Sequence, residues 1–132
     1  MKSSARGTFE VQRRATSGLE VGVGASFSRT TLDKQFQGDL VATSVVEMLS
    51  MATATQGSMA YVALEHVTGS LAGRTGSFAL QHNGVMRRGA AQLTLTVVPD
   101  SGGGELTGLE GSFVIEIVEG KHFYTFEYSL GA

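Results

Sequence analysis

No cysteine occurs in the 132-residue chain, which removes disulfide frameworks, cysteine-ligated zinc, iron–sulfur clusters and thiol nucleophiles at once. Tryptophan is missing too, and with it the Gly-x-Trp signature expected of a lipocalin. No apolar run approaches the roughly 18 to 20 residues that a membrane-spanning helix needs. Charge of one sign is also lacking: ten basic against twelve acidic residues leave a net charge of −2. Nothing across the sequence as a whole therefore draws it to phosphate backbones or anionic membranes, and neither nucleic acid nor membrane is expected as a partner. Lys2 and Arg6 precede no apolar stretch, so no secretory signal is read at the amino terminus and a cytoplasmic protein is expected. There is one proline, Pro99, against eighteen glycines, a balance that suits many turns between uninterrupted extended segments.

Alternation of apolar and polar residues with a period of two fills the spaces between those turns. It predicts strands at Gly7–Arg14, Ala25–Phe36, Leu40–Met51, Met59–Thr68, Gly76–Met86, Ala90–Val98, Ser112–Glu119 and His122–Leu130. The inner face is assigned to Phe78, Leu80 and His82; Leu93, Leu95 and Val97; Phe113, Ile115 and Ile117; and Tyr124, Phe126 and Tyr128. A helix competes over Leu40–Ala54, but Val and Thr there favour a strand. Arg87-Arg88-Gly89 is preferred over Asn83-Gly84 as a hairpin turn, which would leave Asn83-Gly84 as a bulge. The length fits one domain, residues 1–132, and short links favour antiparallel neighbours. The expected fold is all-β: a single antiparallel β-barrel of about eight strands, with a sandwich as the alternative.

The most specific pattern is an internal repeat, G-x-L-x-G-x-x-G-S-F. Gly69 to Phe78 match Gly104 to Phe113 position for position. Gly38-Asp39-Leu40 is a candidate truncated copy. Leucine is expected to plug the end of the core, the glycines to supply turn conformations, and Ser-Phe to begin an inward-facing strand. A phosphate cradle would deliver its anion to a helix N-terminus, whereas here a strand follows.

Together with Phe36-Gln37-Gly38-Asp39-Leu40, Tyr61-Val62-Ala63-Leu64-Glu65, Leu80-Gln81-His82 and Val98-Pro99-Asp100-Ser101-Gly102, this repeat resembles an uncharacterised bacterial family, Domain of Unknown Function 3224. The likeness runs from Gly7 to Leu130. It implies an antiparallel barrel grouped with the allene oxide cyclase-like barrels, and no known activity. Those cyclases close a cyclopentenone ring in an apolar cavity. No motif here matches their catalytic positions, so no catalytic residue is carried over.

Known catalytic signatures fail on the residues themselves. Gly22-Val23-Gly24-Ala25-Ser26-Phe27 places phenylalanine where a dinucleotide fingerprint needs glycine, and there is no nucleophile elbow, Walker loop or zinc helix. The histidines His66, His82 and His122 are too dispersed for a local metal motif; neither metal nor cofactor is expected. His82 and His122 share parity with core residues, whereas Glu116 and Glu127 alternate outward. Glu47 and Glu65 lie on strands with apolar groups on both faces. Buried, either would serve as a general acid or base, and an exposed position is the simpler expectation for both. Tyr61, Tyr124 and Tyr128 offer phenolic hydroxyls at the rim of an apolar core. The leading reading is a barrel that binds a small apolar or amphipathic ligand through His82, Tyr61, Tyr124 and Tyr128. An isomerase or cyclase using Glu47, Glu65 or His82 is the second, and a structural protein without ligand the third. Val41, Val45, Leu49, Val67, Val114 and Val118, read as outward, predict a homo-oligomer.

Overall fold

A computed structural model describes residues 2–131. Their strands are β1 (Ser3–Gly22), β2 (Ala25–Gly38), β3 (Leu40–Ala52), β4 (Met59–Leu71), β5 (Arg74–Arg87), β6 (Ala90–Val97), β7 (Gly103–Gly104), β8 (Glu110–Val118) and β9 (Lys121–Ser129), and no helix occurs among the described residues. Every pairing is antiparallel. The order β1-β2-β3-β4-β5-β6-β8-β9, closed by β9 on β1, is an eight-stranded barrel, with the two-residue β7 added to β5. Leu40–Ala52 is a strand, as the branched residues predict.

One end of the barrel is packed solid. Phe9, Phe36, Phe78, Phe113 and Phe126 point inward with Tyr124 and Tyr128, and Phe113 stacks on Phe126 with ring centroids 4.1 Å apart. Leu40, Leu71, Leu106 and Leu109 seal the bottom with almost no exposure. Leu71 and Leu106 are the leucines of the two repeat copies, in the plugging role their position predicts. The copies also touch: Gly76 of the first pairs with Gly104 of the second, an approach a side chain on Gly76 would block at the Gly103 carbonyl. Gly73 and Gly108 hold the corresponding turns at φ +87° and +86°.

The other end carries the hairpin tips. Arg88 and Gly89 make the β5–β6 turn with positive φ at both residues, as a two-residue hairpin requires. Asn83 and Gly84 pair in unbroken register with both neighbours, so the expected bulge is absent; glycine is there because the Tyr61 ring occupies the space of its side chain. Here the wall is incomplete. The β6–β8 seam consists of Leu95 opposite Phe113 and Thr96 opposite Ser112. Ala90–Thr94 and Val114–Val118 therefore face each other across an opening. β1 likewise runs past its last partner on β9, where Phe9 meets His122.

That opening explains where inward parity and burial part company. Leu93 and Ile117 share the inner face with Leu95 and Phe113, yet are 39% and 66% exposed, because β6 and β8 do not pair beyond Leu95 and Phe113 and leave the wall open beside each. Val11, on the face of Phe9, is exposed in the same way. One outward assignment is corrected: Val67 is fully buried, since it shares parity with Glu65 and faces Phe78 across β4 and β5. Val41, Val45, Leu49, Val114 and Val118 do lie exposed.

Candidate functional site

Between the packed end and the opening lies a small group of polar side chains inside the barrel. Lys34 on β2 is directly opposite Ser44 on β3, and Glu65 on β4 is one alternation removed from the partners of both Ser44 and His82. Diagonal neighbours on one face of a sheet come within reach of long side chains. Glu65 takes up all three contacts: Lys34 Nζ at 3.1 Å and His82 Nε2 at 2.7 Å on Oε1, and the Ser44 hydroxyl donating to Oε2 at 2.5 Å. The carboxylate side chain is sealed off, and those of Lys34 and His82 are only 7% and 5% exposed.

Burial pushes the Glu65 carboxyl up, but the bonds from His82 and Ser44 and the nearby Lys34 charge outweigh it and hold the group below the ordinary glutamate range. Lys34 is supported on the other side by aromatic faces, its ammonium 4.9 Å from the Phe9 ring centre and 5.9 Å from that of Phe36. On the side toward the opening, Tyr61 stands edge-on to His82 with centroids 6.3 Å apart. Its phenol is pushed up to about 12 by burial and by the Glu65 charge, so it keeps its proton. No sealed-off side-chain nitrogen or oxygen lacks a partner among the described residues. His82 is held through Nε2. Its Nδ1 has no protein partner among the described residues and therefore reaches accessible surface.

The residues singled out from sequence separate cleanly. Glu65, His82 and Tyr61 come together, and Glu65 is inside rather than on the exposed outer face that was the simpler expectation. Glu47 points outward: it accepts from the Thr31 hydroxyl, lies 3.7 Å from Arg29, and borders a groove of about 530 Å³ with Leu49, Val62, Leu64 and Gln81, a groove that His82 also lines. Tyr124 spends its hydroxyl on the backbone, accepting from Leu40 N and donating to the Gln37 carbonyl, both at 2.9 Å. It fastens the β2–β3 corner, and Gly7 leaves room for it. Tyr128 packs against Phe126 in the solid end. His122 lies against Phe9, His66 is exposed, and Glu116 and Glu127 face outward as their alternation predicts. Two members of the cluster, Lys34 and Ser44, were not anticipated. Each shares parity with core residues, Lys34 with Phe36 and Ser44 with Ala42 and Val46, and that was the available signal.

The sequence profile of the family described as "Protein of unknown function (DUF3224)" matches residues 5–128. The chain belongs to this family. It is similar in structure to a protein with unknown function from the same family from Shewanella oneidensis MR-1, with a TM-score of 0.87 and 46% identity over 98% of each chain. No curated protein matches the chain. Membership accounts for the barrel and assigns no chemistry to its interior. Among the described residues no helix is long and apolar enough to cross a membrane, and no group of His, Asp or Glu is arranged to hold a metal ion.

Proposed function

We propose that the barrel binds a small amphipathic molecule through its open end. The apolar part of the ligand would lie among the inward-facing Val11, Met48, Leu93, Ile115 and Ile117, and its polar head would meet His82 and Tyr61. The observation that carries this reading is the buried Lys34–Glu65–His82 cluster at the floor of a half-open interior. Removing ions from water costs several kcal/mol per ion, and a buried ion pair often stabilises no more than apolar residues of the same volume. Ions held this way beside an opening fit recognition better than they fit stability. Titration with the uncharged dye Nile red tests the reading. Blue-shifted, saturable emission that 1-decanol displaces and that Leu93→Asp weakens is expected. An unchanged dye spectrum, together with a native mass spectrum unaltered by added decanol, would overturn it.

Self-association has separate support in the exposed Val41, Val45, Leu49, Val62 and Leu64 on the outer faces of β3 and β4. Sedimentation equilibrium at micromolar concentration is expected to show a dimer or larger species, and a strict monomer would refute it.

A further inference from the structure

We propose that His82 is a general base aimed by Glu65, and that the barrel isomerises a small, mostly apolar unsaturated ketone by moving a proton between carbons. The inference rests on the ligand-binding reading above.

A carboxylate can only accept hydrogen bonds, so the 2.7 Å contact requires the His82 hydrogen on Nε2. In the neutral ring the lone pair is then on Nδ1, the atom left accessible and free of a protein partner among the described residues. This is the arrangement in which a carboxylate fixes the tautomer of a histidine and steadies its cationic form without taking the proton itself. Lys34 and Ser44 bond to the same carboxylate, which keeps Glu65 ionised and unsuited to be the base. Tyr61, edge-on to His82, supplies a phenol that stays protonated and can donate to a developing oxyanion.

Charge balances at each stage. Lys34 and Glu65 cancel, and the base form of His82, the form that reacts, faces a neutral ketone. When the C–H bond next to the carbonyl breaks, the proton moves to Nδ1. Its electron pair forms a carbon–carbon double bond to the carbonyl carbon, and the carbonyl π pair moves to oxygen, where the Tyr61 hydroxyl donates a hydrogen bond. Imidazolium and dienolate are then paired. Return of the proton to the γ carbon brings the double bond into conjugation with the re-formed carbonyl and restores neutral His82. Neither oxidant nor co-reactant is consumed. Positioning the base in a site walled by apolar residues strengthens its interaction with the charge that develops.

Cyclohex-3-en-1-one is the probe, its conversion to the conjugated isomer read by ultraviolet absorbance and its binding by saturation-transfer NMR. Conversion above the buffer rate is expected, with His82→Gln lowering it by about 100-fold or more while the probe still binds. Glu65→Gln should lower turnover and, in ¹⁵N spectra of the imidazole, mix the tautomers. Probe that binds but is not converted by the wild type overturns the proposal and leaves the binding reading intact, whereas failure of both Nile red and the probe to bind removes both. The ligand-free wild type provides a check independent of any variant's folding. Its neutral His82 should carry hydrogen on Nε2 with Nδ1 bare, and the opposite tautomer would overturn the assignment.

Discussion

The ring of Tyr61 lies across Gly84, its cross-strand partner, in the space a side chain at position 84 would fill. The position of a phenol above the polar cluster is therefore set by the absence of a methyl group on the next strand. Gly84 has no positive φ, so alanine meets no backbone strain there, and the whole effect falls on the ring. Gly84→Ala is expected to push Tyr61 outward and to cost about 1–3 kcal/mol in urea unfolding through overpacking. Spectrophotometric titration should show the Tyr61 phenol leaving its place near 12 and moving toward the ordinary value as burial is lost. Unchanged stability together with an unchanged titration would show that the ring does not depend on this gap.

Lys34 is the positive partner of a fully buried carboxylate. Lys34→Met leaves the Glu65 charge facing His82 and Ser44 alone and is expected to destabilise the fold by about 3–5 kcal/mol at neutral pH. Lys34→Met combined with Glu65→Leu removes both charges and should recover most of that loss, because the pair contributes little beyond what apolar packing supplies. Urea denaturation of the wild type, Lys34→Met, Glu65→Leu and the double variant measures the coupling directly.

The pH dependence follows from the same residue. The Glu65 carboxyl is held lower in the fold than in the unfolded chain, so the unfolded chain binds its proton first as the solution is acidified. Its contribution to stability is present above the ordinary glutamate value and is lost as pH falls through the depressed folded value. Thermal unfolding should show the wild type losing stability more steeply than Glu65→Gln below about pH 4.5, the ordinary value, and parallel curves would show that Glu65 is not held low.

Much of this fold could be read before the structure, because alternation fixes parity and parity survives any uncertainty in pairing. Phe78, Leu80, His82, Leu95, Phe113, Phe126 and Tyr128 all point inward as expected. Parity cannot say how far a neighbouring wall extends, which is why Leu93 and Ile117 face inward and are nevertheless exposed. Val67 and Glu65 shared one ambiguity, since β4 carries apolar residues on both faces. Val67 reads as outward and an exposed Glu65 as the simpler expectation, yet Glu65 and His82 both stand among the candidate residues, so the sequence names the centre of the site without placing it inside. Lys34 was overlooked for another reason: a lysine two residues from Phe36 reads as solvated unless a carboxylate is known to lie across the barrel.

The repeated turns allow a graded test. At Gly73 the φ of +87° is the sole obstacle, since an added Cβ meets nothing within 4 Å, and Gly73→Ala should cost roughly 1–2 kcal/mol. At Gly108, with φ +86°, the Cβ would also stand 2.8 Å from the Leu130 carbonyl oxygen, so Gly108→Ala should cost more. Melting temperatures are expected to fall in the order wild type, Gly73→Ala, Gly108→Ala. The reverse order for the two variants would contradict the turn geometry.

The narrow seam between β6 and β8 bears on the order in which the barrel assembles. From β1 to β6 each strand pairs with the one before it, so this sheet can zip through successive hairpins with short loop closures. Completing the circle instead joins Ser3 to Tyr128 across nearly the whole chain, and the two rungs of the seam give the β8–β9 hairpin little to dock on beforehand. Contacts of that sequence separation cost the most closure entropy and gain least from the two-rung seam, so closure is expected last, after the β1–β6 sheet has formed at the rate-limiting barrier. A destabilising change at Phe126 should accordingly speed unfolding and leave the folding rate nearly untouched. The last strand pair then acts as the latch of a barrel whose other six strands are already in place.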